Sequence, residues 1–439
     1  MLDDLRHAAA RRMAGRASAR LQLACKRLLS EGAELNGMGA ASEIIDRIED
    51  LDDEQLDRFF GWMATALGPD PAAVLRAAQA YAQEPSAAHQ ITLTAAAAPP
   101  RQELLRRMNR RPGGTAAVLR LRRALLARLR ERPEHAGQWA AIEADLLHLL
   151  TSWFNPGFLQ LRRVDWNSPA QFLEKIIHHE AVHAIDGWDD LRRRLLPDRR
   201  CFAFVHPQLS DEPLIFVEVA LVPEMPAAIA PLIEKGSLPL PPDRFRVAAF
   251  YSISNCEPGL RGVSLGNFLI KTVAVQLQRE LPQLKRFCTL SPIPGFAPWL
   301  LQRPDFASLP GIRRAAVPSL QAAHERLLAL TGGELQALQG AALHARLGAE
   351  DDQALVRLAA AYLAYASPTP AGDAVARFHL DNGARLERLN LRGNLSPRGL
   401  KQSFGVMVNY LYDLDKVEAS HDRFRAGEVV RSRELAALL

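Results

Sequence analysis

Only four cysteines occur in 439 residues, and Cys25, Cys201, Cys256 and Cys288 show no paired spacing. That scarcity argues against a disulfide framework or a zinc ribbon and fits a reducing compartment. Long hydrophobic runs are missing too: no window stays apolar and uncharged far enough to span a bilayer. Aromatic residues make up 7% of the chain and are not interleaved with arginine in a basic stripe, so no nucleic-acid module is recognised. The strongest glycine-rich loop has neither a G-x-G-x-x-G nor a Gly-Lys-Ser/Thr, which sets aside the dinucleotide fingerprint and the P-loop.

What is present describes an ordinary globular protein, 48% hydrophobic and 23% charged, with room for two or three domains. The net charge of +5 suits a polyanionic small ligand. Arg6, Arg11, Arg12, Arg16 and Arg20 give the N-terminus a faint transit-peptide character, but Asp3 and Asp4 oppose it, and the last residues carry no Ser-Lys-Leu address. The expectation is a cytoplasmic, bacterial enzyme.

Up to about Ser152 the chain reads as helices and turns. Asp70-Pro71 opens a helix that runs to about Gln83. Thr115 after Gly113-Gly114 caps another, with Val118, Leu121, Leu125 and Leu129 on one stripe. Residues 94–100 read as a loop. Nothing here gathers catalytic residue types, and residues 1–152 are expected to be a scaffold for oligomer contacts. From Trp153 to Leu439 an α+β domain is expected, with strands at 201–205 and 214–222 and helices over 319–365 and 400–414.

The run 250–296 carries the clearest signal. A strand over 247–254 feeds a loop holding Gly259, Gly262 and Gly266; a helix follows, with Leu269, Val273, Leu277 and Leu281 on one face. Pro282 stops it, and 286–290 reads as a second strand. A glycine-rich turn that enters a helix N-terminus is an anion site, because free N–H groups and the helix dipole point at the ligand. The same turn also suits ordinary packing.

That order of elements resembles the acyl-CoA-binding half of a GNAT-type acetyltransferase fold. The words go further. Phe250-Tyr251-Ser252-Ile253-Ser254, the stretch 262–271, Leu290-Ser291-Pro292-Ile293-Pro294-Gly295-Phe296 and Phe378-His379-Leu380-Asp381-Asn382-Gly383 resemble the malonyl-CoA decarboxylase family. So do Ser152-Trp153-Phe154, Glu180-Ala181-Val182-His183, Arg199-Arg200-Cys201, Glu212-Pro213-Leu214 and Asn409-Tyr410, in the family's order along nearly the whole chain.

The resemblance implies that malonyl-CoA loses CO2 to give acetyl-CoA, with a place in fatty acid metabolism. It implies Ser291 in the active site and His379 as proton donor, and Arg261, Gly262, Val263, Ser264, Leu265, Gly266 and Asn267 around the coenzyme A pyrophosphate. Asn409 and Tyr412 would line the same pocket from a late helix. His379 itself reads as part of a short extended piece. Loss of CO2 leaves an enolate on the thioester, so the carbonyl is its own electron sink. Neither metal, pyridoxal phosphate nor thiamine is required, and coenzyme A enters as part of the substrate. The protein's task is to position the carboxylate, stabilise the enolate oxygen and protonate carbon, the last suited to an imidazolium. Nucleic acid and membrane are not expected as partners; a homo-oligomer, dimer or tetramer, is. Animal members carry Glu where this loop has Ser264, so the partner that orients His379 is left open. An N-acyltransferase on the same fold and a non-catalytic acyl-CoA binder are the competing readings.

His179-Glu180-Ala181-Val182-His183 matches the H-E-x-x-H zinc pattern. The sequence just downstream lacks the metzincin spacing, and the expectation is a helix end with structural polar contacts.

Overall fold

The computed structural model describes residues 18–30, 33–369 and 372–439. Arg6, Arg11, Arg12 and Arg16 lie outside the described residues. The chain forms two compact units. One comprises the described residues up to Gln160 with Val205–Glu212 and Glu257–Leu265; the other comprises Leu161–Phe204, Pro213–Cys256 and Gly266–Leu439.

The first unit is helical. Asp70 caps Pro71–Gln83 by accepting from the amide of Ala72 at 3.0 Å. Residues 94–100 are not a loop: they finish the helix Ala87–Ala97 and begin Pro100–Asn109. Alanine is the strongest helix former, so its run continues the helix until Pro99 breaks it. Thr115 does not cap its helix either. Gly113, at φ 75°, is the cap of Gly114–Glu131, and Thr115 lies inside, donating to Asn109 Oδ1 at 2.8 Å. Val118, Leu121 and Leu125 are buried as their spacing requires.

The second unit is built on an eight-stranded mixed sheet: β1 (Gln160–Val164), β2 (Arg199–Val205), β3 (Ile215–Val222), β4 (Val247–Asn255), β5 (Arg286–Thr289), β6 (Ser291–Pro292), β7 (Arg385–Asn390) and β8 (Met407–Tyr412). The order is β1-β2-β3-β4-β5-β8-β6, with β7 on β8. β4 and β5 run parallel, as a strand–helix–strand crossover through Gly266–Glu280 demands.

The β4–β5 ladder ends at Phe250 and Thr289, closed by the bond from Leu290 N to Phe250 O at 3.0 Å. Beyond it the two strands part. β4 stays on β3 as far as Asn255, while Ser291 and Pro292 pair with Val408 and Met407 of β8. A splay therefore opens between the two strands, and Ser291 stands where it opens.

Two assignments change. Residues 400–414 are not one helix: Pro397–Ser403 ends at Phe404 (φ 51°) and Gly405 (φ 77°), and β8 follows. Left-handed backbone at two successive residues ends a helix, and the Val-Met-Val-Asn-Tyr-Leu-Tyr run then alternates as a strand. His379 is helical rather than extended, on Ala374–Asp381.

Glu180 fastens the Glu-Ala-Val-His segment to β4. Its carboxylate accepts from the amides of Val182 and His183 at 2.8 Å each and from the Ser252 hydroxyl at 2.7 Å. Ser254 Oγ in turn accepts the amide of Ala181 at 3.1 Å. Glu180→Ala leaves these buried donors unmatched and is expected to cost about 3 kcal/mol of stability. Urea denaturation checks this; an unchanged midpoint would show the clasp to be dispensable.

Candidate active site

Ser291 begins β6, and Pro292 behind it restricts the serine to extended backbone. His379 is carried on the opposite approach by the helix Ala374–Asp381. The two meet: His379 Nε2 lies 3.0 Å from Ser291 Oγ. The ring's other nitrogen, Nδ1, lies 2.9 Å from the hydroxyl of Tyr412, and the ring stacks on Tyr410 with centroids 4.6 Å apart. Ser291 Oγ donates to Thr289 Oγ1 at 2.8 Å, and Thr289 Oγ1 also accepts the amide of Tyr410 at 3.2 Å. With the serine proton committed to Thr289, Nε2 carries the ring hydrogen and Nδ1 accepts from Tyr412. The result is one directed chain, Tyr412 to His379 to Ser291 to Thr289.

All four members are buried. Burial alone pushes the His379 imidazole down to about 3, and it pushes the Tyr412 phenol up. The ring is thus neutral in the ligand-free protein. The chemistry expected from the sequence needs an imidazolium; burial opposes that charge here because the hydroxyls bonded to the ring carry none to offset desolvation. The partner left open at the sequence level is Tyr412, which holds Nδ1.

Asn409 and Tyr412 lie on β8 rather than on a helix. Asn409 is fully buried beneath the site and spends its side chain on protein groups. Nδ2 donates to Thr289 O at 2.8 Å and Pro226 O at 3.1 Å, and Oδ1 accepts from Asn390 at 2.8 Å and Arg388 at 3.1 Å. It supports the backbone of Thr289 from beneath.

Glu257–Leu265, the loop after β4, is shaped by the helix Gly114–Glu131 within the helical unit. Arg122 donates to Gly259 O at 2.6 Å and Arg261 O at 2.7 Å while paired with Glu143 at 2.7 Å. Glu257 accepts the Gly259 amide at 2.7 Å and meets Arg123 at 2.6 Å. A Cβ on Gly259 would stand 2.7 Å from Leu119 O, so only glycine allows this approach. The amides of Arg261, Val263 and Leu265 are bonded to Pro258, Leu260 and Val263. Gly262 and Ser264 are exposed, and Leu265 is buried. Gly266 opens the next helix, where a Cβ would come within 2.3 Å of the Phe378 ring, the neighbour of His379. The side chain of Asn267 lies outside the described residues.

The H-E-x-x-H match does not form its usual geometry. The helix Ala170–His179 stops before Glu180, whose ψ of 107° is extended, so His179 and His183 do not share a helical face. Among the described residues no group of three or more His, Cys, Asp or Glu is placed to hold a metal. The four cysteines are buried and none is in a disulfide.

Sequence reasoning did not single out Thr289, Tyr410, Asp373 or Arg122. Asp373 had a readable signal, an acidic cap before Ala-Val-Ala-Arg. Arg122 had none, since the loop carbonyls it holds are 137 and 139 residues away.

Comparison with known proteins agrees along the chain. Residues 67–154 match the family model "Malonyl-CoA decarboxylase N-terminal domain" and residues 157–439 the model "Malonyl-CoA decarboxylase C-terminal domain". The mitochondrial malonyl-CoA decarboxylase of Anser anser anser is 35% identical over 340 residues, 75% of this chain and 67% of that protein. That of Mus musculus is 35% identical over 353 residues, 75% and 69%. Among solved structures, malonyl-CoA decarboxylase from Rhodopseudomonas palustris superposes with a TM-score of 0.81 at 43% identity, covering 96% of this chain and 99% of its own. The enzyme from Cupriavidus metallidurans gives 0.74 at 36%, covering 97% and 100%.

The depressed His379 pKa sets a pH dependence. An unfolded histidine takes a proton near pH 6.5, the folded ring only near 3, so below about 6.5 the unfolded state binds more protons and stability falls with pH. His183, held down to about 4, adds to the same trend. Comparing denaturation midpoints of wild type and His379→Asn isolates the first contribution. Wild type is expected to lose its advantage progressively from pH 6.5 to 4, and a pH-independent difference would refute a neutral buried ring.

Proposed function

The chain belongs to the malonyl-CoA decarboxylase family, carbon–carbon lyases of the carboxy-lyase class, and we propose that it converts malonyl-CoA to acetyl-CoA and CO2 with Ser291, His379 and Tyr412 at the reacting atoms. The observation that carries this reading is the 3.0 Å contact of His379 Nε2 with Ser291 Oγ where β4 and β5 part.

The pyrophosphate is received by the loop after β4, where Gly262 and Ser264 are exposed and glycine lets the backbone come close. Arg261, Val263, Leu265 and Asn267 complete that segment. The pantetheine enters the splay and brings the malonyl group to Ser291. As the carboxylate leaves as CO2, the bonding pair moves onto the thioester and forms an enolate. With substrate bound, Ser291 turns its hydroxyl from Thr289 to the substrate, first steering the carboxylate and then donating to the developing oxyanion. The negative charge of the bound malonyl group lifts the His379 pKa, so the ring takes a proton from solvent, and the imidazolium then delivers it to the α-carbon. Tyr412 fixes the ring's orientation throughout. Malonyl-CoA and one proton give acetyl-CoA and CO2, and no cofactor takes part.

We further propose a homo-oligomer acting in the cytoplasm, with residues 1–152 as scaffold and 153–439 as the catalytic part. The helix Ala87–Ala97 supports self-association, since it buries none of its residues and leaves Ile91 70% exposed. Four reduced, buried thiols fit a reducing compartment. No helix among the described residues is long and apolar enough to cross a membrane.

Purified protein given malonyl-CoA is expected to release CO2 and acetyl-CoA without an added amine; a strict amine requirement would point to acyl transfer instead. His379→Asn should lower kcat by about 10²–10⁴-fold with little change in analogue binding. Ser291→Ala should lower kcat and raise KM, and the double variant should lose less than the product of the two. Normal turnover by His379→Asn would end this assignment. Arg122→Met, which frees two loop carbonyls, should raise KM for malonyl-CoA by about 10-fold or more. It should leave malonyl-pantetheine, which has no pyrophosphate, unaffected; equal losses on both substrates would remove the loop from pyrophosphate binding.

A further inference from the structure

Ser291 and His379 reach each other from two separate segments, and the buried carboxylate of Asp373 touches both. Its Oδ2 accepts the amide of Gly295, four residues after Ser291, at 2.9 Å. Its Oδ1 accepts the amides of Val375 and Ala376 at 2.9 and 3.0 Å, which caps the helix that bears His379. We propose that Asp373 is a positioning residue that sets the separation of Ser291 Oγ and His379 Nε2, by fixing the serine's turn and the histidine's helix to one rigid group. This rests on the pairing of Ser291 with His379 as the reacting groups.

Both arms of the link are short and stiff. Between Ser291 and Gly295 stand Pro292 and Pro294, whose φ angles are locked. Between Asp373 and His379 lie fewer than two turns of hydrogen-bonded helix, starting with Arg377 N to Asp373 O at 3.0 Å. A displacement at the carboxylate is therefore handed on to the site with little absorbed on the way. The surroundings hold the group firmly. A Cβ on Gly295 would sit 2.0 Å from the Tyr362 hydroxyl and 3.3 Å from Asp373 Oδ2, so glycine is what lets turn, phenol and carboxylate meet. Tyr362 belongs to a π-helical turn, Tyr362–Ala366, and packs on Phe296 and Trp299 with centroids 5.8 and 5.1 Å away. An inserted residue of this kind re-aims a side chain, here toward the joint.

A helix cap alone would need one oxygen. Asp373→Asn separates the two duties: its oxygen still caps the helix, but its NH2 faces the Gly295 amide, donor against donor. Asp373→Ser likewise keeps a cap and is too short to reach the turn.

The test measures kcat, KM and thermal midpoint for Asp373→Asn and Asp373→Ser, each in wild-type and His379→Asn backgrounds. In parallel, ¹⁵N NMR of the ligand-free protein reads the His379 ring. The expected result is a 10–100-fold loss of kcat, the order of about 10²-fold that a misplaced reacting pair costs, with KM within about threefold. That loss should vanish in the His379→Asn background while the change in thermal midpoint persists, and the Nε2 resonance should shift. A merely structural role would lower stability and kcat by the same factors in both backgrounds. Wild-type kcat with an unmoved ring resonance in either folded variant overturns the proposal. Absence of turnover by the wild-type protein would instead fail the decarboxylase reading, and the ring resonance would then decide the role of Asp373 by itself.

Discussion

The parting of β4 and β5 after Phe250 and Thr289 is the constraint on which the site depends. A parallel pair that separates loses its shared hydrogen bonds, and each freed edge must find other partners. β3 keeps the outgoing half of β4, and β8 takes Ser291 and Pro292. Asn409 then answers the buried carbonyl of Thr289. These substitutions keep the opening from collapsing, and they place a serine at its mouth with its backbone already committed. The sheet is built to tolerate this gap.

Electrostatics at this gap runs opposite to the common arrangement in which a carboxylate holds a histidine. Here a phenol does so, inside a fully buried cluster of neutral hydroxyls. Such a cluster carries little desolvation penalty, because none of its members bears a charge. A carboxylate beside the ring would instead raise its pKa.

Much of this was legible in the sequence, where local rules govern. The β4–loop–helix–β5 run followed from strand composition, glycine punctuation and a four-residue apolar spacing, and Leu269, Val273 and Leu277 are buried accordingly. Errors arose where short segments offered two periodicities. Residues 400–414 carry apolar side chains that satisfy a helix pattern, and only Gly405 marked the change to a strand. The histidine's helix spans eight residues, too few to show a face, and depends on Asp373, whose second bond joins residues 78 apart. Asn409 was placed in the pocket by the family resemblance; its four side-chain partners come from three other segments. The loop's attachment to Arg122 is of the same non-local kind.

Arg122 also has a history in time. During synthesis it leaves the ribosome 137 residues before Gly259, one of the two carbonyl partners it will hold. At about 5–20 residues per second, it waits roughly 7–30 s. In that interval Glu143, only 21 residues on, arrives first and can neutralise it. The helical hairpin thus carries a half-filled arginine fork that the nascent loop completes, and the order of translation decides which of the two partners is the template and which is the guest.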